Sequence, residues 1–343
     1  MKTPWTVLAI LSALLLPAFA AKPSQPSALH VVGNHLKNAQ GKTVRLQGVN
    51  IPSLECSNEG DHLLPSVQAA LGEWRANVIR LPLAQDRWFG KMEGQKDGGA
   101  AYRKLVDTVI QTASARQSYV LLDLHWSDGG EWGRHLSQHK MPDANSILFW
   151  KHAAARYANN PAVLFDLYNE PRDVFWTVWR NGGEVRESLD KNAPETAYQT
   201  PGMQGLLQTI RATGAKNIVV AGGLDWAYDL SGIAQGFALS DSMGNGVMYG
   251  THIYPWKGSA HENWDPHVSI IADKYPIFVG EVGCEPDPKQ EDPMSGRLKS
   301  WPTSTRTAST GPAGASTPAR RPACWPIGTT RPPPTGAFTL KAP

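Results

Sequence analysis

One short stretch sets the architecture of this chain, and it reads Val163-Leu164-Phe165-Asp166-Leu167-Tyr168-Asn169-Glu170-Pro171. An apolar run of this length with a polar end is typical of a strand that is buried on both faces. Because proline cannot donate to a sheet, we expect the strand to end at Glu170 or just before it. A glutamate in that place is costly to bury unless it has a partner or a function.

A second stretch has the same design and reads Pro276-Ile277-Phe278-Val279-Gly280-Glu281-Val282-Gly283. It is again a buried-type strand with a glutamate near its end, between glycines that allow another group to approach closely. A single glutamate of this kind suits an ordinary loop ion pair. Two carboxylates on two strand ends are the minimum equipment for hydrolysis of a glycosidic bond.

Strand and helix patterns alternate along most of the chain. The predicted strands are 44–51, 77–83, 119–126, 163–170, 217–226, 247–256 and 276–283, and the clearest helices are 63–73, 100–117, 145–157 and 201–212. Such alternation implies parallel strands, so these seven units predict the α/β class and a (β/α)8 TIM barrel without its eighth unit. The active site of that fold lies at the C-terminal ends of the strands. The polar residues predicted there are Arg80, His125, Asn169, Glu170, His252, Tyr254 and Glu281.

Five short segments from the predicted strands, taken together, resemble glycoside hydrolase family 5, the cellulase-type barrel of retaining glycosidases. The pieces are Val78-Ile79-Arg80-Leu81-Pro82, Leu122-Asp123-Leu124-His125-Trp126, Tyr168-Asn169-Glu170-Pro171, His252-Ile253-Tyr254 and Val279-Gly280-Glu281-Val282-Gly283. They occur in the family's order on successive predicted strands, between residues 29 and 290.

The resemblance implies a role for each residue of the predicted site. Glu170 would be the general acid/base, protonated at the start of the reaction, and Glu281 would be the ionised nucleophile. Arg80 would accompany the Glu281 carboxylate, although a purely structural ion pair is also open to it. Tyr254 would donate a hydrogen bond to Glu281, and His252 would lie near Glu170.

Two further polar residues and three tryptophans complete the predicted site. The resemblance implies that Asn169 binds the 2-hydroxyl of the sugar and that His125 frames the subsite beside the cleaved bond. The chain has 13 Trp. Trp226 is a candidate stacking platform for a sugar ring, and Trp126 and Trp256 are further candidates for substrate binding. A core or rim position is the alternative for each. The two-carboxylate mechanism requires no cofactor or metal, and the histidines show no zinc-type spacing.

The N-terminal segment, residues 1–20, has the pattern of a cleavable signal peptide. A lysine precedes an apolar core at 7–16, and Ala18-Phe19-Ala20 forms the cleavage motif. We therefore predict a secreted or periplasmic protein with no membrane association after cleavage, and a linker at 21–28. A membrane anchor is the alternative, but the apolar run is short for a bilayer.

Export permits disulfides, and the chain has three cysteines. Cys56 and Cys284 each follow a predicted strand, so they are the candidate pair; Cys324 is the third. The formal net charge of +3 arises from the C-terminal tail, because residues 1–294 carry 26 basic and 30 acidic side chains. The charge therefore does not indicate nucleic-acid binding. The expected partner is a polysaccharide, and a monomer is expected although the sequence does not decide it.

The tail, residues 295–343, departs from the family pattern, which requires an eighth strand with a Trp beneath the sugar. The tail is instead rich in Pro, Thr and Arg, which predicts disorder after a catalytic barrel at 29–294. Reading the codons of 311–318 and 324–330 two bases on permits Gly-Trp-Ser-Phe-His-Pro and Leu-Leu-Ala-Asp-Trp-Asp-Tyr. We hypothesise a frameshift near residues 295–301, which the nucleotide sequence would test.

Taken together, the sequence predicts an exported retaining β-glycanase that cleaves internal β-1,4 bonds of a plant-type polysaccharide, with cellulose or β-glucan as the first choice. Mannan, xylan and β-1,3-glucan remain alternatives, because the loops that select the sugar cannot be read from the sequence. An alternative of another class is a carbohydrate-binding protein without activity, or a defective product of the altered tail.

Overall fold

A computed structural model describes residues 25–188, 193–254, 257 and 263–282 of the chain. The predicted signal peptide, Trp256, Cys284 and the tail lie outside these residues. In chain order, the elements are β1 (Leu29–Val32), β2 (His35–Asn38), β3 (Gly48–Asn50), α1 (Leu63–Gly72), β4 (Val78–Ala84), α2 (Gln85–Trp88), α3 (Ala100–Ser114), β5 (Tyr119–Trp126), α4 (Ala144–Tyr157), β6 (Val163–Asp166), α5 (Trp176–Asn181), β7 (Gly183–Glu187), β8 (Thr196–Thr200), α6 (Gly202–Ala212), β9 (Val219–Gly222), α7 (Leu224–Ala227), β10 (Val247–Ile253), α8 (Asp265–His267) and β11 (Ile277–Val282).

A seven-stranded parallel sheet forms the centre of the molecule. Its strand order is β3-β4-β5-β6-β9-β10-β11, so neighbouring strands follow one another along the chain and each pair is parallel. All seven residues of β4 and all four of β6 are buried, as apolar runs covered on both faces require. The predicted (β/α)8 barrel is confirmed, with seven of its strands in the described residues.

The sheet curves far enough to bring its first and last strands together. The side-chain amide of Asn50, at the end of β3, donates to the carbonyl oxygen of Gly280 on β11 at 2.9 Å. Neither β3 nor β11 has a further strand partner within the described part of the chain. The barrel is therefore nearly closed at this point by a side chain rather than by a ladder of backbone hydrogen bonds.

The hairpin β1–β2 covers the end of the barrel opposite the predicted site. Leu29 and Leu36 pack into a buried cluster with the first residues of several barrel strands, among them Val78 and Tyr119. The hairpin turns at residues 33–34, where Gly33 has a positive φ of 59°, and a second turn follows at 38–41, where the Gly41 amide donates to the Asn38 carbonyl oxygen. The hairpin is therefore a lid on the bottom of the barrel.

Several predicted strands are shorter than the sequence indicated: the 247–256 strand ends at Ile253, and the 44–51 strand is reduced to Gly48–Asn50. The 163–170 strand ends at Asp166, because the backbone of Leu167 then bonds to β9 while that of Asn169 bonds to β5. Glu170 therefore lies four residues beyond the end of β6. The 217–226 strand ends at Gly222 because Asp225, Trp226 and Ala227 all have positive φ, which no strand accommodates.

The predicted helices are present, with ends that shift by a few residues. Helix α4 begins at a capping box in which Asp143 accepts from the backbone of Ser146 and Ser146 accepts from that of Asp143. Helix α6 follows Pro201, as expected for a proline at a helix start. Within the described ranges, no helix has the length and apolar character needed to cross a membrane.

Replacing Gly48 with alanine should destabilise the protein strongly. A Cβ atom at Gly48 would lie 1.7 Å from the backbone oxygen of Val78, which cannot rotate away. Overpacking costs about 1–3 kcal/mol, occasionally more, and a backbone clash belongs at the upper end. We expect a lower urea midpoint, whereas Gly72→Ala, with its nearest neighbour at 4.0 Å, should match or exceed wild type because alanine favours helix. Equal midpoints for both variants would contradict the close approach of β3 and β4.

Candidate active site

Arg80 occupies the middle of the barrel and is completely buried. Its guanidinium lies 3.0 Å from an oxygen of each of three carboxylates, which belong to Asp123, Asp166 and Glu281. It also donates to the side-chain oxygens of Asn169 at 2.8 Å and Asn50 at 3.2 Å. Its neighbours lie within, at the end of or just beyond four other barrel strands, so one cation links most of the sheet.

Strand register explains why these carboxylates meet. Asp123 on β5 lies opposite Asp166 on β6, and both face the interior beside Arg80 on β4. Burial and the neighbouring Asp123 charge raise the pKa of Asp166 to about 7, even though Arg80 acts in the opposite direction. Burial would lower the pKa of Arg80, but the surrounding carboxylates raise it, so this guanidinium stays charged.

Glu281, on β11, is held in its ionised form. One carboxylate oxygen accepts a hydrogen bond from Arg80 at 3.0 Å, and the other accepts one from the hydroxyl of Tyr254 at 2.6 Å. Burial by itself would raise the pKa of Glu281, but the neighbouring His252 and Arg80 charges outweigh burial and lower it to about 2. Tyr254 stays protonated as the donor, because burial and the Glu281 charge raise its pKa.

Glu170 lies across the site from Arg80 and has a different set of partners. Nδ1 of His252 lies 2.8 Å from its Oε1, and the amide nitrogen of Gln138 donates to its Oε2. The same His252 nitrogen lies 3.8 Å from Glu281. One oxygen of each glutamate and one ring nitrogen of His252 all lie within 4.8 Å of one another. The two glutamates therefore face a shared space with His252 between them.

His125 completes the polar ring at the end of β5. Its Nδ1 lies 2.6 Å from Asp123, which in turn contacts Arg80. Burial acts to lower the pKa of His125, but the Asp123 charge and hydrogen bond raise it to about 9. At neutral pH this ring is therefore a second cation on the Glu281 side of the site.

An open cavity of about 290 Å³ adjoins Glu170. Its walls are formed by Glu170, Asp225, Trp226, His252, Tyr254 and Lys257. Trp226 is 41% exposed, and the guanidinium of Arg172 lies 3.9 Å from the centre of its ring. One face of the indole is thus backed by a cation and the ring is presented to the cavity.

Most of the residues predicted from the sequence are brought together here. Arg80, Asn169, Glu170, His252, Tyr254 and Glu281 form one network, His125 joins it through Asp123, and Trp226 lines the adjoining cavity. Trp126 lies beside His125, with 6.4 Å between ring centres. Trp256 lies outside the described residues. Cys56 is disulfide-bonded, but Cys284 is also outside them, so their pairing stays a prediction.

Sequence reasoning missed several polar residues of the site. Asp123 and Asp166 were quoted without a role, although a carboxylate inside an apolar strand is itself a signal that a buried cation must be near. Asn50 has no distinguishing pattern beyond its place near the end of a predicted strand. Gln138 lies on an irregular loop, where spacing carries no information about contacts.

The triad of Glu170, His252 and Glu281 has ligand atoms close enough to hold a metal ion. The chemistry of the donor set is less favourable than the distances. Arg80 already occupies Glu281 at 3.0 Å, and its positive charge opposes a second cation at the same oxygen.

Comparisons with known proteins agree with one another. The family model for cellulase, glycosyl hydrolase family 5, matches residues 37–311. Endoglucanase MaCel5A of Microbulbifer sp. (strain ALW1) is 26% identical over 265 residues, which are 75% of this chain and 44% of that protein. Endoglucanase E-5 of Thermobifida fusca is 24% identical over 264 residues, with 75% and 48% covered. The chain spans about half the length of these curated relatives.

Solved structures share the fold. The β-glucanase SdGluc5_26A from Saccharophagus degradans, in complex with cellotetraose, superposes with a TM-score of 0.62 at 24% identity and covers 84% of each chain. The catalytic domain of Thermobifida fusca endoglucanase Cel5A (E5) gives a TM-score of 0.55 at 21% identity, over 82% of this chain and 83% of that one.

The protonated His125 should contribute stability that depends on pH. Its folded-state pKa of about 9 lies above the ordinary value of 6.5, so the contribution is complete below about pH 6.5 and is lost as pH rises through about 9. The free energy of unfolding of wild type minus that of His125→Gln, from urea titrations, should therefore decrease from about pH 6 to about pH 10. His30→Gln, on the hairpin at the opposite end of the barrel, is the control. A pH-independent difference for His125→Gln would contradict the Asp123 pairing.

Proposed function

The chain belongs to glycosyl hydrolase family 5, and from this premise we propose that it is a retaining glycosidase that cleaves internal β-1,4 bonds of cellulose or a related β-glucan. The spacing of the two glutamates carries the proposal. Oxygens of Glu170 and Glu281 lie within 4.8 Å. Retaining enzymes hold their carboxyls about 5–5.5 Å apart, whereas inverting enzymes need about 6.5–9.5 Å to admit a water.

In the first step, an ionised Glu281 oxygen forms a bond to the anomeric carbon. The bond from that carbon to the leaving-group oxygen breaks, and Glu170 gives its proton to that oxygen. The low pKa of Glu281 keeps the nucleophile charged at any ordinary pH. In the second step, Glu170 takes a proton from water, whose oxygen displaces Glu281 and releases the sugar with its original configuration.

The remaining residues orient the sugar. Arg80 holds the side-chain oxygen of Asn169, so the amide nitrogen of Asn169 is the group available to a sugar 2-hydroxyl. The exposed ring of Trp226 supplies a stacking surface in the cavity beside Glu170, where the leaving-group sugar would lie. His125 and Trp126 would frame the opposite side of the cleaved bond.

A β-glucan is the substrate class with most support. Several curated relatives are named endoglucanases, and the β-glucanase of similar fold was solved with cellotetraose. Mannan, xylan and β-1,3-glucan use the same chemistry and remain the alternatives. The extracellular or periplasmic location, the signal peptide at 1–20, the catalytic barrel at 29–294 and the altered tail at 295–343 belong to the same proposal.

Replacing either glutamate should abolish reducing-sugar release from carboxymethylcellulose, by about 10³-fold or more. The full chain is compared with Glu170→Gln, Glu281→Gln and the control Glu73→Gln, which changes an exposed glutamate at the end of α1. The control should retain wild-type activity. Wild-type rates in both active-site variants would contradict the proposal, and sugar binding without hydrolysis by the parent chain would favour a binding protein.

The roles of the two glutamates can be separated with 2,4-dinitrophenyl β-cellobioside, whose leaving group needs no proton. Glu170→Gln should still release a burst of dinitrophenol, whereas Glu281→Gln should release none. Proton NMR of the first product of the parent chain should show the β-anomer, and a first-formed α-anomer would overturn the retaining mechanism. If the parent chain releases no sugar from β-1,4-glucan, its activity on mannan, xylan and β-1,3-glucan is measured next.

A further inference from the structure

Gln138 touches the proposed acid/base although it belongs to none of the sequence motifs. It lies on the loop between β5 and α4, and its side-chain amide donates to Oε2 of Glu170. His252 lies against the other oxygen, Oε1. Glu170 is therefore contacted at both oxygens, by one group from a barrel strand and by one from a loop.

The loop is fastened to the same segment of chain that carries Glu170. Arg172 donates to the backbone oxygens of Gln138 and His139, the latter at 2.8 Å, and the hydroxyl of Tyr168 donates to the His139 oxygen at 2.9 Å. Both anchors lie two residues from Glu170, one on each side. The position of Gln138 relative to Glu170 is therefore determined by short, local connections.

A second anchor fixes the loop from its other side. His139 pairs with Glu187 on β7, and Glu187 also accepts from the backbone of Lys140 at 3.0 Å. His139 and Glu187 are both buried, so this pair is shielded from solvent. Because the backbone of the loop is held at consecutive residues, Gln138 stays beside Glu170. Less conformational entropy is then lost when the substrate binds than if the loop were mobile.

We propose that Gln138 is a positioning residue for proton transfer by Glu170, an inference that rests on the proposed function. When Glu170 gives its proton to the leaving-group oxygen, as the bond to the anomeric carbon breaks, negative charge appears on the Glu170 carboxylate. The Gln138 amide already points at one of the oxygens that receive this charge. A preorganised donor of this kind stabilises the transition state more than the ground state.

The arrangement leaves room for the reacting proton. Each carboxyl oxygen has two acceptor positions, so Gln138 can use one at Oε2 while another faces the cavity and the leaving group. The charged and titratable groups that face Glu170 or its contacts are His252, Tyr254, Glu281, Asp225, Lys257, Arg172 and His139. Gln138 itself does not titrate, so its effect on a pH profile must act through Glu170.

The test compares wild type with Gln138→Met on two substrates that have different leaving groups. Methionine is similar to glutamine in shape but has no hydrogen-bond donor. For cellotetraose, whose leaving group needs a proton, we expect kcat/KM to fall about tenfold and its basic limb to rise by about one pH unit. For 2,4-dinitrophenyl β-cellobioside, which needs no proton, we expect a change under about twofold. Gln204→Met is the matched control. The Gln204 side chain is likewise hydrogen-bonded, in its case by two bonds to the backbone of Ser240, but it lies outside the site network.

Equal losses on both substrates, or no loss on cellotetraose, would overturn the proposal. A second measurement needs no turnover and therefore tests the Gln138 contact even if the parent chain hydrolyses no glycoside. That absence of hydrolysis would contradict the proposed function but not the contact. The carboxyl ¹³C resonance of Glu170, assigned by its absence in Glu170→Gln, should titrate about one pH unit higher in Gln138→Met. Coincident titrations would reject the contact, and Gln138→Glu, which replaces the donor with a second carboxyl, should raise the titration further if Gln138→Met is unstable.

Discussion

The ion cluster around Arg80 is the interaction on which both the barrel and the site depend. One fully buried guanidinium on β4 meets three carboxylates and two asparagines drawn from β3, β5, β11 and the segment that starts at β6. Removing one partner of a buried ion pair costs about 3–5 kcal/mol, because the other charge stays buried without compensation. Here three carboxylates would be left. The contact that keeps Glu281 ionised is therefore part of what holds the strands together.

The two glutamates differ because their surroundings differ, not because their side chains do. Glu281 lies among cations and accepts from Tyr254, which favours the charged form. Glu170 shares His252 with Glu281, but it contacts the uncharged amide of Gln138 where Glu281 contacts Arg80. Under the proposed function, this difference would suit Glu281 to act as the nucleophile and Glu170 to act as the acid/base, because different surroundings can give two carboxyl groups different roles. Arg80 contributes to this asymmetry, because its guanidinium contacts Glu281 directly but, in the segment after β6, contacts Asn169, the residue before Glu170.

The barrel and the core of the site could be predicted because both depend on local patterns. An apolar run with a polar end identifies a buried parallel strand, and strand ends of one sheet share one edge, so Glu170 and Glu281 had to meet. What escaped prediction depends either on an irregular backbone turn or on contacts distant in sequence. The end of β9 at Gly222 reflects a left-handed turn, and the Gln138 contact reflects anchors on β7 and beside Glu170. Neither leaves a periodic signal in the residues themselves.

The run of three left-handed residues that contains Trp226 has a consequence for recognition. Each such residue outside glycine costs about 1–2 kcal/mol of backbone energy, so the turn persists only because its surroundings hold it. Lys257 bonds to the backbone and side chain of Asp225, and the backbone amide of Trp226 donates to the carbonyl oxygen of Pro171, the residue after Glu170. The backbone that carries the indole is thus held by contacts within the protein, and the Arg172 guanidinium lies against one face of the ring. The entropic cost of ordering this turn is therefore incurred when the protein folds and not when a sugar ring binds. More of the stacking energy would then contribute to affinity.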